Sequence, residues 1–149
     1  MNLSETLNSL DPAFASARTK IWMTAQIFNG LVTLDSVLNI QPAISDSVHI
    51  SEDKKTYTFY LKKEVYFHKD ALFGKDSTRA VTADDFVYSF RRICDPELGS
   101  SGSWIFRDKI LGVEAFREGK VDEVKGFRSL DKHTPVSYTH LTLPTTSRV

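Results

Sequence analysis

The chain has 149 residues, 41% of them hydrophobic, and its 19 basic and 19 acidic side chains cancel. That is apolar material enough for a core, but no apolar run reaches the ~18 residues a membrane-crossing helix needs. Charge balance argues against a nucleic-acid partner or a direct anionic-membrane contact, whose binders carry a basic excess. The single cysteine, Cys94, allows no internal disulfide and reads as a small buried residue at a helix end.

Residues 1–7 (Met-Asn-Leu-Ser-Glu-Thr-Leu) lack the basic and apolar regions of a secretory leader, so an export signal is expected to be absent from this chain. Pro12 breaks any early strand. Ser16 or Thr19 is placed to cap a helix. Ile21, Trp22, Ala25 and Phe28 recur at helical spacing, which predicts an amphipathic helix with Trp22 on its buried stripe. Asn29-Gly30 supplies the stop.

A short apolar strand is predicted over 31–34, with a turn at Asp35-Ser36, and Pro42 argues against a central strand over 37–45. Val48 and Ile50 alternate before the polar turn 51–54. Tyr57, Phe59 and Leu61 then share one strand face, with Thr56, Thr58 and Tyr60 on the other. Val65 and Phe67 alternate again, so the whole reads as an antiparallel sheet with one buried face. Residues 69–80 form a polar loop.

The next helix is the most strongly signalled element. Thr82 stands at the N-cap and Asp85 three residues on, a capping-box spacing, with Val81 and Phe86 at the staple positions. Phe86, Val87, Phe90 and Ile93 form the apolar stripe, and Pro96 ends the helix. A small-residue loop, 98–103, delivers Trp104. A further helix is predicted over 113–118, closed by Gly119, and a strand over 124–130 before the turn Asp131-Lys132-His133.

From Thr134 onward the chain is rich in threonine and free of acids. Residues 135–149 resemble a translated sequencing-adapter scar and are set outside the fold; the alternative is a disordered tail. Pro135 sits where a pairing strand would otherwise start. The domain reading is therefore 1–134, with 135–149 as a non-native tail.

No constellation makes a persuasive enzyme. Adjacent Asp84 and Asp85 would point about 100° apart on a helix, which suits capping rather than acid–base work. His49, His68, His133 and His140 lack the close spacing of a helical metal pair. Ser101-Gly102-Ser103 lacks the form of a nucleophile elbow. Trp104, on a glycine-serine loop, is either a ligand-stacking aromatic or an anchor plugged into the core.

Five stretches in order resemble the family 5 extracellular solute-binding proteins, the binding components of peptide-type ABC importers. They are residues 8–14 (Asn-Ser-Leu-Asp-Pro-Ala-Phe), 26–32 (Gln-Ile-Phe-Asn-Gly-Leu-Val), the hairpin 51–63 with 65–68 (Val-Tyr-Phe-His), the helix start 81–90, and the run from Gly119 to Thr134. The chain departs from the family pattern at Val48, where a tryptophan is usual, in the longer loop 69–80, and in stopping early.

The resemblance implies an α/β fold of the periplasmic-binding-protein class II type, α+β within this piece. It would be a partial first lobe built of antiparallel hairpins and short helices. It implies capture of oligopeptides or dipeptides in a cleft for delivery to a membrane permease, without catalysis and with no cofactor. A nickel chelate or an oligosaccharide is the alternative ligand on the same fold. The intact protein would be periplasmic or a cell-surface lipoprotein, touching the membrane only through the transporter or a lipid anchor missing from this chain. By the same resemblance, the segment holding Ser16, Ala17, Arg18 and Thr19 touches ligand backbone, and Trp104 lies over the ligand. Arg18 would pair a carboxylate, or else stand as a solvated first-turn residue.

Overall fold

In the computed structural model, residues 9–139 are described. The capping signal at Thr82 is realised as helix α2, Ala83–Cys94. The Thr82 backbone N–H donates to Asp85 Oδ2 at 2.8 Å, closing the box. Arg79 reinforces the same carboxylate with a two-pronged bond, Nη1 to Oδ2 at 2.8 Å and Nη2 to Oδ1 at 2.5 Å. Its guanidinium also lies 4.6 Å from the Phe67 ring centroid. α2 ends at Asp95, which is extended ahead of Pro96, as the proline requires.

Before α2 the chain makes a 3₁₀ turn, Pro12–Phe14, then helix α1, Arg18–Ile27, and strands β1, Val32–Leu34, and β2, Ile40–Pro42, paired as a two-stranded sheet. Asp35 organises the turn between them, accepting from the backbone of Val37 and Asn39 at 2.9 Å each. Strands β3, Ser45–Ile50, and β4, Thr56–Leu61, form the expected hairpin. Beyond α2 come a 3₁₀ turn at Ser103–Ile105, helix α3 at Val113–Arg117, and strands β5, Phe127–Ser129, and β6, Pro135–Tyr138. The second sheet runs β3-β4-β6-β5, antiparallel throughout.

Three sequence expectations are corrected. The stripe of α1 is exposed rather than buried: Trp22 is 47% accessible, Ile21, Ala25 and Phe28 are also exposed, and the buried residue of that helix is Thr24. Its hydroxyl bonds back to the Lys20 carbonyl at 2.9 Å. Helical periodicity marks a face that wants cover, but none of the described elements covers it. Neither Ser16 nor Thr19 caps α1, since Ala17 holds the N-cap position with no side-chain bond. Val65 to Phe67 is no strand. Its pairing is a single bridge between Tyr66 and Ala80, flanked by Phe67 N–H to Arg79 O at 3.0 Å and Val81 N–H to Val65 O at 2.9 Å.

The fold also takes in residues that the sequence reading set aside. β6 begins at Pro135 and lies between β4 and β5, pairing Val136 with both Thr58 and Arg128. Proline is tolerated there because it opens the strand. Close approach at this point requires Gly126: a Cβ on it would sit 2.4 Å from Ile110 Cγ2 and 2.8 Å from the Tyr138 carbonyl. Residues 140–149, the rest of the suspected tail and His140 with it, lie outside the described residues.

Two apolar clusters make the core. One gathers Cys94, Ile110, Val113, Val124 and Phe127, and the other Leu31, Leu61 and Ala83. Phe90 packs against both, with its ring 5.5 Å from Phe106 and 5.3 Å from Phe127. The turn 131–134 knits these parts by main chain alone, as Leu61 N–H donates to His133 O at 2.7 Å and Ala83 N–H to Lys132 O at 2.8 Å.

These contacts lead to three measurable outcomes. Phe90→Ala removes the ring shared by both clusters and lowers unfolding free energy by about 3 kcal/mol in urea titration. Burial works to raise the Asp85 carboxyl, but the Arg79 and Thr82 hydrogen bonds prevail and hold it below the ordinary carboxylate value. A depressed folded-state pKa stabilises above the unfolded value, near about 4, and that stability is lost as pH falls through the folded value. Asp85→Asn therefore lowers the melting temperature at about pH 7, and the difference from the parent shrinks as pH falls through the folded value. Burial pushes the fully buried Cys94 thiol up to about 11, so thiol reagents label it only when denaturant is added.

Candidate functional site

The two segments singled out by sequence lie on either side of one docked junction. The first leaves the 3₁₀ turn Pro12–Phe14, which Asp11 caps by accepting from Ala13 N–H at 3.0 Å. Ala15 to Ala17 then lead into α1, with Ala17 extended at its N-cap. Ser16 and Arg18 are exposed, and Ala17 and Thr19 are half-buried. Arg18 opens α1, a helix with no acid in its first turn. A cation at the positive end of a helix dipole is unfavourably placed unless an anion meets it. No hydrogen bond or ion pair to Arg18 is found among the described residues.

The second segment is the 3₁₀ turn Ser103–Ile105. Trp104 on it is 66% accessible, so it is not an anchor in the core. Lys109 Nζ lies 5.4 Å from its ring centroid, a cation–π distance. Ile105 and Lys109 also border an apolar groove of about 360 Å³ whose walls include Leu31, Tyr57, Phe59 and Phe106. The face therefore offers an aromatic ring, a neighbouring cation and apolar wall, which together can take a ligand with apolar parts and an anionic group.

Sequence reading missed what joins the two segments. Ser100 Oγ donates to the Ala13 carbonyl at 2.6 Å, and Arg92 grips the Asp11 carboxylate at 2.9 and 2.5 Å. The Arg92 hydrogen bonds keep the Asp11 carboxyl below its ordinary pKa, against a smaller opposing effect of burial. Both links join residues more than eighty positions apart, which no local pattern marks. The Pro12 turn with its leading aspartate was the available half-signal.

The groups weighed for catalysis diverge. Asp84 accepts from Ser129, whereas Asp85 is taken by Arg79 and Thr82. Cys94 is buried and faces the Arg117 side of α3, whose Nη1 donates to the Cys94 carbonyl at 2.9 Å. Among the described residues, no three His, Cys, Asp or Glu side chains gather as a metal site.

Residues 39–136 match the model of the bacterial extracellular solute-binding proteins, family 5 Middle. The periplasmic oligopeptide-binding protein OppA of Escherichia coli K12 is 30% identical over an alignment of 159 residues, covering 99% of this chain and 28% of that protein. Heme-binding protein A of Haemophilus influenzae is 43% identical over 72 residues, 48% of this chain and 13% of that protein. The fold matches the E. coli murein tripeptide binding protein MppA with a TM-score of 0.77 at 31% identity, over 91% of this chain and 25% of that one. It matches H. influenzae OppA in complex with RPPGFSPFR with a TM-score of 0.78 at 27% identity, again over 91% and 25%. The chain thus spans about a quarter of the length of these relatives. It belongs to the bacterial extracellular solute-binding proteins of family 5.

Proposed function

We propose that this chain supplies part of the first lobe of a substrate-binding component of an ABC importer, one that captures oligopeptides or dipeptides and hands them to a membrane permease. The observation that carries this reading is the fold match to a relative holding the peptide RPPGFSPFR. Capture of this kind closes two lobes on a solute by hinge rotation and leaves its bonds intact. Buried peptide groups need hydrogen-bond partners, while roomy hydrated pockets accept varied side chains.

On this reading Ser16, Ala17, Arg18 and Thr19 meet the ligand backbone, and Trp104 covers it. The position of Arg18, a cation at a helix start without an acid in the first turn, supports its pairing with a ligand carboxylate. The high accessibility of Trp104 supports a role outside the core. Relatives named as periplasmic support a location outside the cytoplasmic membrane, free in the periplasm or held at the surface by a lipid anchor. We further read residues 135–149 as non-native in origin, from their threonine-rich, acid-free composition; the parent gene's sequence decides this.

A porphyrin ligand is the second reading, favoured by the local 43% identity to heme-binding protein A. The complete reading frame should be expressed and screened by thermal shift against peptides, hemin, nickel chelates and oligosaccharides. Peptides are expected to raise the melting temperature with concentration by mass action. A shift with hemin, nickel or sugar and none with peptide overturns the peptide reading. In the same protein Trp104→Ala weakens peptide binding by about tenfold and leaves the ligand-free melting temperature unchanged, because the ring is not part of the core.

A further inference from the structure

The loop that carries Trp104 has the composition of a flexible linker, Gly99-Ser100-Ser101-Gly102-Ser103. It is nonetheless tied down. Ser100 is 6% exposed, and its oxygen both donates to the Ala13 carbonyl at 2.6 Å and accepts from Gly102 N–H at 3.1 Å. Ala13 is buried, and its own N–H is held by Asp11 Oδ1. That carboxylate is in turn gripped by the fork of Arg92, in the last turn of α2. A bidentate guanidinium–carboxylate pair fixes orientation as well as distance. One helix end therefore roots both the segment leading to residues 15–19 and the loop leading to Trp104.

We propose that Asp11, Arg92 and Ser100 form a latch that holds residues 15–19 and Trp104 as one preformed ligand-contacting unit, so that these three act as positioning residues for binding. The inference rests on the peptide-capture reading above. None of the three side chains belongs to either apolar cluster, so the latch is separable from the core. Loss of the Ser100 hydroxyl leaves a buried carbonyl and a loop N–H unpaired and lets two segments move independently. A ligand must then order both on binding, and affinity falls accordingly.

Hydrogen exchange on the 149-residue chain tests the coupling without any ligand. Ser100→Ala is expected to speed exchange in residues 13–19 and 102–106 together, with the β3–β4 hairpin unchanged. Faster exchange in only one segment, or in neither, overturns the latch. In the protein expressed from the complete reading frame, Ser100→Ala and Arg92→Lys each weaken peptide affinity by about three- to tenfold, and Ser100→Thr, which keeps the hydroxyl, restores it. Combined with Trp104→Ala, Ser100→Ala adds less than its single effect, since both act through one unit. Full additivity, or unchanged affinity in a protein that binds peptide, overturns the inference. A parent protein that binds no peptide overturns the capture reading instead, and the exchange measurement still decides the latch.

Discussion

The structure depends most on where α2 begins. Asp85 accepts from the Thr82 backbone, the Thr82 hydroxyl and both prongs of Arg79, so one carboxylate sets the first turn of the helix. Each residue of an α-helix turns the next by about 100°. A start displaced by one position would rotate Phe90 away from the two clusters it joins and Arg92 away from Asp11. Local capping chemistry thereby reaches the core and the ligand-facing segments at once.

What sequence could express, it expressed through neighbours in the chain. The Thr82–Asp85 spacing, the alternation from Tyr57 to Leu61 and the stop at Pro96 all rest on contacts within a few residues, and all three reappear in the structure. Contacts between distant residues were not legible. Arg92 reads as a last-turn cation and Ser100 as loop filler until the fold sets Asp11 and Ala13 beside them. The stripe on α1 was visible as a pattern, but a pattern does not name its cover, and Trp22 is accessible. Composition, whatever it says of origin, hid the strand at residues 135–138. Val136 and Tyr138 alternate with smaller polar residues, and that short alternation suffices once β4 and β5 stand ready on either side.

The candidate site follows the same division. Its exposed members were proposed from different signals, Trp104 from its place on a small-residue loop and Arg18 from the family resemblance alone, and the helix start that Arg18 occupies was not read from sequence. Among the described residues, the carboxylates weighed for catalysis, Asp84 and Asp85, are committed to serine and arginine partners, and Cys94 is enclosed. A surface made of an accessible ring, a cation and an apolar wall is suited to holding a molecule by complementarity.

The turn at 131–134 carries a consequence of its own. It serves β4 and α2 through the carbonyls of His133 and Lys132, while Asp131 folds it by accepting from His133 N–H at 2.7 Å. The side chains of Lys132 and His133 take no part in those ties, so a substitution at either position that keeps the bend leaves both ties in place. Insertion or deletion of a single residue is another matter, because it would misalign two distant parts in one step.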